Sequence, residues 1–168
     1  MMSWWKRIFL GLIVLLALSQ FFRPSHVNPP VVVAHTIEAN LAVPPDVAST
    51  LHRSCNDCHS HQSVWPWYSN VAPISWLLVY DVRHGRAALN LSEWSAYPAS
   101  EQKDLLTEIC TEVSDSDMPG IPYVWVHPQS KLSDAEMKSV CRWAAAAQPK
   151  QPAEQQPATT KQHDPNMD

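Results

Sequence analysis

Five consecutive residues, Cys55-Asn56-Asp57-Cys58-His59, constrain this chain more than anything else in it. Two thiols three positions apart share one turn, and an imidazole follows at once. That order suits thioether bonding of both sulfurs to the two vinyl groups of one haem, with the histidine then presented to the iron. Covalent attachment removes dissociation as a route of cofactor loss, so a small core can hold a large apolar ring.

Rival readings fit less well. A thioredoxin-type dithiol would follow a strand and carry Pro or Gly between its cysteines, whereas Asn56-Asp57 stands there and a helical pattern precedes it. A zinc site needs a second matched pair, and Cys110 and Cys141 are too widely spaced to form a knuckle. The third reading is a structural exported domain with a fortuitous motif. No nucleophile–base constellation is legible, so the chain reads as a carrier without substrate chemistry of its own.

With His59 on one side of the iron, the second axial ligand decides the chemistry. Met118, in Ser116-Asp117-Met118-Pro119-Gly120, follows a helix in an irregular segment, where Pro119 stiffens the chain and Gly120 lets it turn. A thioether ligand favours ferrous iron and raises the potential, as an electron carrier requires. His84 and His127 are the alternatives and would give bis-histidine ligation. His61 is too near His59 to reach the opposite face, and Met137 reads as a packing residue on a helix. An open sixth position would instead bind a small gas or peroxide.

Residues 1–23 place Lys6 and Arg7 ahead of an apolar run from Ile8 to Leu18. That charge order leaves the N-terminus in the cytoplasm and exports the remainder of the chain. Two outcomes are open: a retained single-pass anchor in a bacterial inner membrane with the haem domain facing the periplasm, or cleavage after Ser19 to give a periplasmic protein. Residues 24–44 are proline-rich and read as a semi-extended linker, with Val31-Val32-Val33 a packed tether or a short strand. Residues 148–168 carry almost nothing apolar and read as a disordered tail. The haem-binding domain therefore spans 45–147.

Three glycines against 15 prolines favour helices with rigid connections over a hairpin-rich sheet. Asp46 opens a helix toward Arg53. Pro73 stands at the start of a second, with Ile74, Leu77, Leu78, Val82, Gly85 and Leu89 at helical spacing. Ser100 caps a third, whose Leu105, Leu106, Ile109 and Val113 share one face. Ser133-Asp134-Ala135-Glu136 is a capping box ahead of Met137, Val140, Cys141 and Ala144. Residues 114–132 read as an ordered loop.

Without its first 23 residues the chain keeps 9 basic against 16 acidic residues. That balance argues against nucleic acid, whose affinity rests on Lys and Arg, and suits a redox partner protein with a basic docking face. Trp65, Trp67 and Tyr68 come soon after the motif and are candidates to wall the ring, although ordinary core packing accounts for each equally well. Arg86 and Trp94 are candidates to meet the haem propionates. Cys110 and Cys141 fall late in the third and fourth helices, and the sequence leaves a disulfide and two buried thiols equally open.

Residues 54–143 resemble the bacterial haem-binding domain family of monohaem, c-type cytochrome-like proteins. The resemblance is carried by Cys55-Asn56-Asp57-Cys58-His59-Ser60, Trp65-Pro66-Trp67-Tyr68-Ser69, Ala72-Pro73-Ile74-Ser75-Trp76-Leu77, Asp81-Val82-Arg83-His84-Gly85-Arg86, Leu89-Asn90-Leu91-Ser92-Glu93-Trp94, Met118-Pro119, His127-Pro128 and Leu132-Ser133. It implies an all-α cytochrome c-like fold around one covalent haem, an N-terminal membrane tether, and Met118 as sixth ligand. Gly120 departs from the pattern, which has a second proline there. The function expected is single-electron transfer between envelope partners. A haem-based sensor or peroxide-reacting protein with a labile Met118 is the alternative.

Overall fold

The structure is a computed structural model and describes residues 3–147. Among these residues eight α-helices run in chain order: α1 (Trp4–Ser19), α2 (Ile37–Asn40), α3 (Pro45–Ser54), α4 (Asn56–His59), α5 (Ile74–Ala88), α6 (Ala99–Ser114), α7 (Ile121–Val126) and α8 (Asp134–Ala146), with short 3-10 turns between them. Among the described residues no strand forms, so the all-α expectation holds. The expected disordered tail, 148–168, lies outside the described residues.

The core forms where α6 packs on α8 and α8 on α3. Leu105, Leu106, Ile109 and Val113 of α6 are all buried, as their spacing requires, and meet Val47 and Leu51 of α3 and Val140, Trp143 and Ala144 of α8. The capping box starts α8: the Ser133 hydroxyl accepts from the Glu136 N–H, and the Glu136 carboxylate accepts from the Ser133 N–H at 2.7 Å. Glu136 also takes Arg53 of α3 at 2.8 Å, which fixes the two helices to each other. Cys110 and Cys141 are bridged, closing α6 onto α8.

Several expectations are revised. α6 begins two residues early, at Ala99 after Pro98, and Ser100 makes no cap. The segment 114–132 contains α7, which Gly120 precedes and Pro122 opens within its first turn. Part of the stretch read as a linker belongs to the core. The Thr36 side chain caps α2 by accepting from the Ala39 N–H, and Ile37 and Leu41 are buried against Leu91 and Trp94. Finally, α1 has 16 residues and none is buried. At 1.5 Å per residue it is about 24 Å long, short of a hydrocarbon layer of roughly 30 Å. No helix among the described residues is long and apolar enough to cross a membrane, so the retained-anchor outcome for residues 1–23 gains no support from the structure.

Candidate functional site

The Cys55–His59 motif folds as a single tight turn. α3 ends at Ser54, Cys55 breaks the helical geometry with φ −121° and ψ −37°, and α4 carries Asn56 to His59. α5 lies directly against this turn. Gly85 makes the approach feasible, because a Cβ built there would stand 2.7 Å from the Cys58 carbonyl oxygen. The consequence is that both thiols and the imidazole are held on one wall.

That wall bounds a cavity of about 320 Å³. Cys55, Cys58 and His59 line it, with Leu51, Leu89, Leu91, Leu105, Ile109 and Val113 supplying apolar sides and Met118, Pro119 and Tyr123 closing it. The His59 ring is aimed by its Nδ1, which lies 3.1 Å from the Leu89 carbonyl oxygen. A carbonyl only accepts, so the proton sits on Nδ1 and Nε2 keeps its lone pair. Burial lowers the His59 pKa, which keeps the ring neutral and able to ligate. Burial also pushes the Cys55 thiol up to about 12 and the Cys58 thiol up to about 11. Protonated thiols make a poor zinc or disulfide-exchange site, since both chemistries use thiolate. Among the described residues no group of three or more His, Cys, Asp or Glu forms a metal set.

Met118 reaches the cavity through the turn at the end of α6. Ser116 takes φ +64°, the left-handed conformation that ends many helices. The Asp117 and Met118 N–H groups then both donate to the Glu112 carbonyl, at 3.0 and 3.1 Å. α7 is fastened from the other side, where the Tyr123 hydroxyl donates to Asp57 Oδ2 at 2.7 Å. Asp57 lies inside the attachment motif, so one hydrogen bond joins the Met118-bearing segment to the turn that carries the cysteines. The Tyr123 pKa is raised, by burial first and by the Asp57 hydrogen bond next, which keeps the phenol a donor.

The other candidates lie elsewhere. Trp65 donates from Nε1 to Asn28 Oδ1 at 3.1 Å and packs against His26. Trp67 is 79% exposed, and Tyr68 is hydrogen-bonded to His127 Nε2 at 2.5 Å. Arg86 donates to the Ser60 carbonyl, Ser63 Oγ and Asn28 Oδ1 at 2.7 to 2.9 Å, so its guanidinium pins the loop after the motif to residue 28. Trp94 is fully buried in the core, and its Nε1 is without a protein partner. None of these five lines the cavity. His84 lies against Tyr80, His127 stacks on Tyr123, and neither of these alternative histidine ligands lines the cavity; His61, bonded to Asn90, does not line it either. Met137 packs against the core, as its helical position implies. Sequence reasoning missed Tyr123 and the close approach at Gly85. A glycine inside a helix, among only three in the chain, was the available signal for the second.

The residues fit a haem on three counts. The cavity is apolar-walled, it presents two thiols beside a neutral imidazole, and Ser54 Oγ on its lining is a buried polar atom without a protein partner. The family model described as a haem-binding domain matches residues 14–146, well over half of the chain. No curated protein and no solved structure matches it.

Proposed function

The chain belongs to the haem-binding domain family, and from that premise we propose that it is a c-type cytochrome that passes single electrons between partner proteins outside the cytoplasm. One haem would be bonded to Cys55 and Cys58 and ligated by His59 and Met118. The observation that carries this reading is the convergence of those four side chains on one apolar cavity. When bound, the haem supplies a one-electron ferric–ferrous couple. This chain's residues do the rest. Leu89 orients the imidazole through its carbonyl, the leucines of α3 and α6 exclude water, and the Tyr123–Asp57 bond holds the methionine segment in place. Exclusion of water raises the cost of a net charge change and so tunes the potential.

The location rests on two observations. Lys6 and Arg7, in the first turn of α1, precede the apolar run Ile8 to Leu18, the charge order of an exported chain. The Cys110–Cys141 bridge is of the kind that persists in oxidising compartments. One observation favours the second reading, a sensor with a labile sixth ligand. Met118 is 44% exposed and lies between the haem cavity and a further cavity bounded by Val124, Trp125, Leu132 and Met137, which gives it room to swing away.

The test compares native absorption spectra of the parent and Met118→Ala. Electron transfer with methionine ligation requires a thioether–iron charge-transfer band in the parent that survives modest cyanide and is absent from the variant. A parent that exchanges readily with cyanide supports sensing. Identical spectra for parent and variant remove Met118 from the site.

A further inference from the structure

Helix α5 carries an apolar face that stays exposed among the described residues. Ser75, Val79 and Val82 are buried, whereas Pro73, Trp76, Leu77 and Tyr80, at i, i+3, i+4 and i+7, are exposed. On a helix of 3.6 residues per turn these four fall within an arc of about 100°, opposite the buried side. The face has a polar border, since Asp81, Arg83 and His84 come next in the chain and are exposed. Scattered exposed apolar residues are ordinary on a protein, but a helical stripe of them marks a contact.

The N-terminal segment indicates what makes that contact. From Ile8 to Leu18 α1 is apolar on every side, and the helix buries nothing against the domain. A helix of that kind needs apolar surroundings of its own. It does not end in a free tether. The Gln20 side chain donates to the Ala72 carbonyl at 3.1 Å and accepts from the Ala72 N–H at 3.0 Å. Arg23 donates to the Asn70 carbonyl, and Trp76 Nε1 donates to the Phe22 carbonyl at 2.8 Å. The exposed Phe21 and Phe22 are therefore held at the margin of the α5 face. The match to the family begins at residue 14, inside α1, so these clamped residues belong to the family's domain.

We propose that the α5 face formed by Pro73, Trp76, Leu77 and Tyr80, continuous with Phe21, Phe22 and α1, rests on a lipid surface and fixes the orientation of the haem site to it. Trp and Tyr are the side chains that favour the headgroup level, because each pairs an apolar body with a polar tip. Lys6 and Arg7 add attraction to anionic headgroups at the far end of α1. The attachment turn packs on α5 through Gly85, off this face, so the same helix touches both lipid and the motif.

Hydroxyl-radical footprinting of the full chain, as isolated from its host, tests this with and without phosphatidylcholine–phosphatidylglycerol vesicles. Trp125, 80% exposed on α7, is the internal reference. The expected result is a several-fold drop in oxidation of Trp76, Leu77 and Tyr80 on vesicles, with Trp125 unchanged and the drop insensitive to protein dilution at constant lipid. Oxidation of the three at the vesicle-free rate overturns the proposal, as does protection shared equally by Trp125. Protection that fades on dilution also overturns it, because a second copy of the chain then covers the face.

Discussion

Gly85 and Cys58 are in backbone contact: a Cβ on the glycine would lie 2.7 Å from the cysteine's carbonyl oxygen and 3.1 Å from its Cβ. The obstacle is backbone, which cannot rotate aside. In an open helix, Gly85→Ala would gain about 1 kcal/mol of helix propensity. Here the overlap forces α5 off the Cys55–His59 turn, at a cost of about 1–3 kcal/mol. Gly85→Ala should therefore lower the urea midpoint and reduce the haem-to-protein absorbance ratio. A variant more stable than the parent would show that α5 does not need this approach.

Tyr123→Phe removes the donor to Asp57 while keeping the ring that stacks on His127. A hydrogen bond to a carboxylate at a half-buried site contributes about 1–2 kcal/mol. The loss should fall on the segment bearing Met118. Imidazole added to the ferric protein should then bind faster than to the parent, as measured by stopped-flow absorption. Equal binding rates would mean that Asp57 does not hold this segment.

The Cys110–Cys141 bridge closes a separation of 31 residues between α6 and α8. Chain-entropy arguments put its contribution at about 3–4 kcal/mol. The double variant Cys110→Ser, Cys141→Ser should lose close to that amount in chemical denaturation and keep its haem, since neither residue lines the haem cavity. Stability unchanged within error would mean that the unfolded chain is already constrained without the bridge.

Glu136 supplies the pH dependence. Hydrogen bonds from the Ser133 backbone and hydroxyl, and from Arg53, hold its carboxyl at about 2 against an ordinary 4.5. A folded pKa below the unfolded one stabilises fully above about pH 4.5, and that stabilisation is lost as the pH falls toward 2. The group is partly exposed, so screening leaves on the order of 1 kcal/mol. Glu136→Gln should lower stability at pH 7 and converge with the parent by pH 2, as read from urea midpoints. A gap that stays constant across that range would assign the effect to packing instead.

The parts legible in the sequence were those fixed by local pattern. The motif pointed to haem, as the family match supports, because two sulfurs and an imidazole on one turn suit a single porphyrin edge. α6 and α8 were legible because helical periodicity states which side is buried, and because Ser133 and Glu136 satisfy each other within four residues. What sequence could not supply was proximity across the fold. Trp65, Trp67 and Tyr68 stand close to the motif in the chain, yet Trp65 and Arg86 converge on Asn28, 37 and 58 residues away. α7 was missed because Pro122 and the β-branched residues Ile121, Val124 and Val126 have weak helical propensity. Its Tyr123 lies 66 residues from the Asp57 it binds, a distance no local pattern encodes.

The central claim is a haem bonded through sulfur to Cys55 and Cys58, and denaturing mass spectrometry after extraction with acidified acetone tests it most directly. Protein matured in a host able to attach haem should keep the mass of one haem per chain, and the double variant Cys55→Ala, Cys58→Ala should lose it. A parent chain stripped to its polypeptide mass, or one that never gains the pigment, would contradict the account.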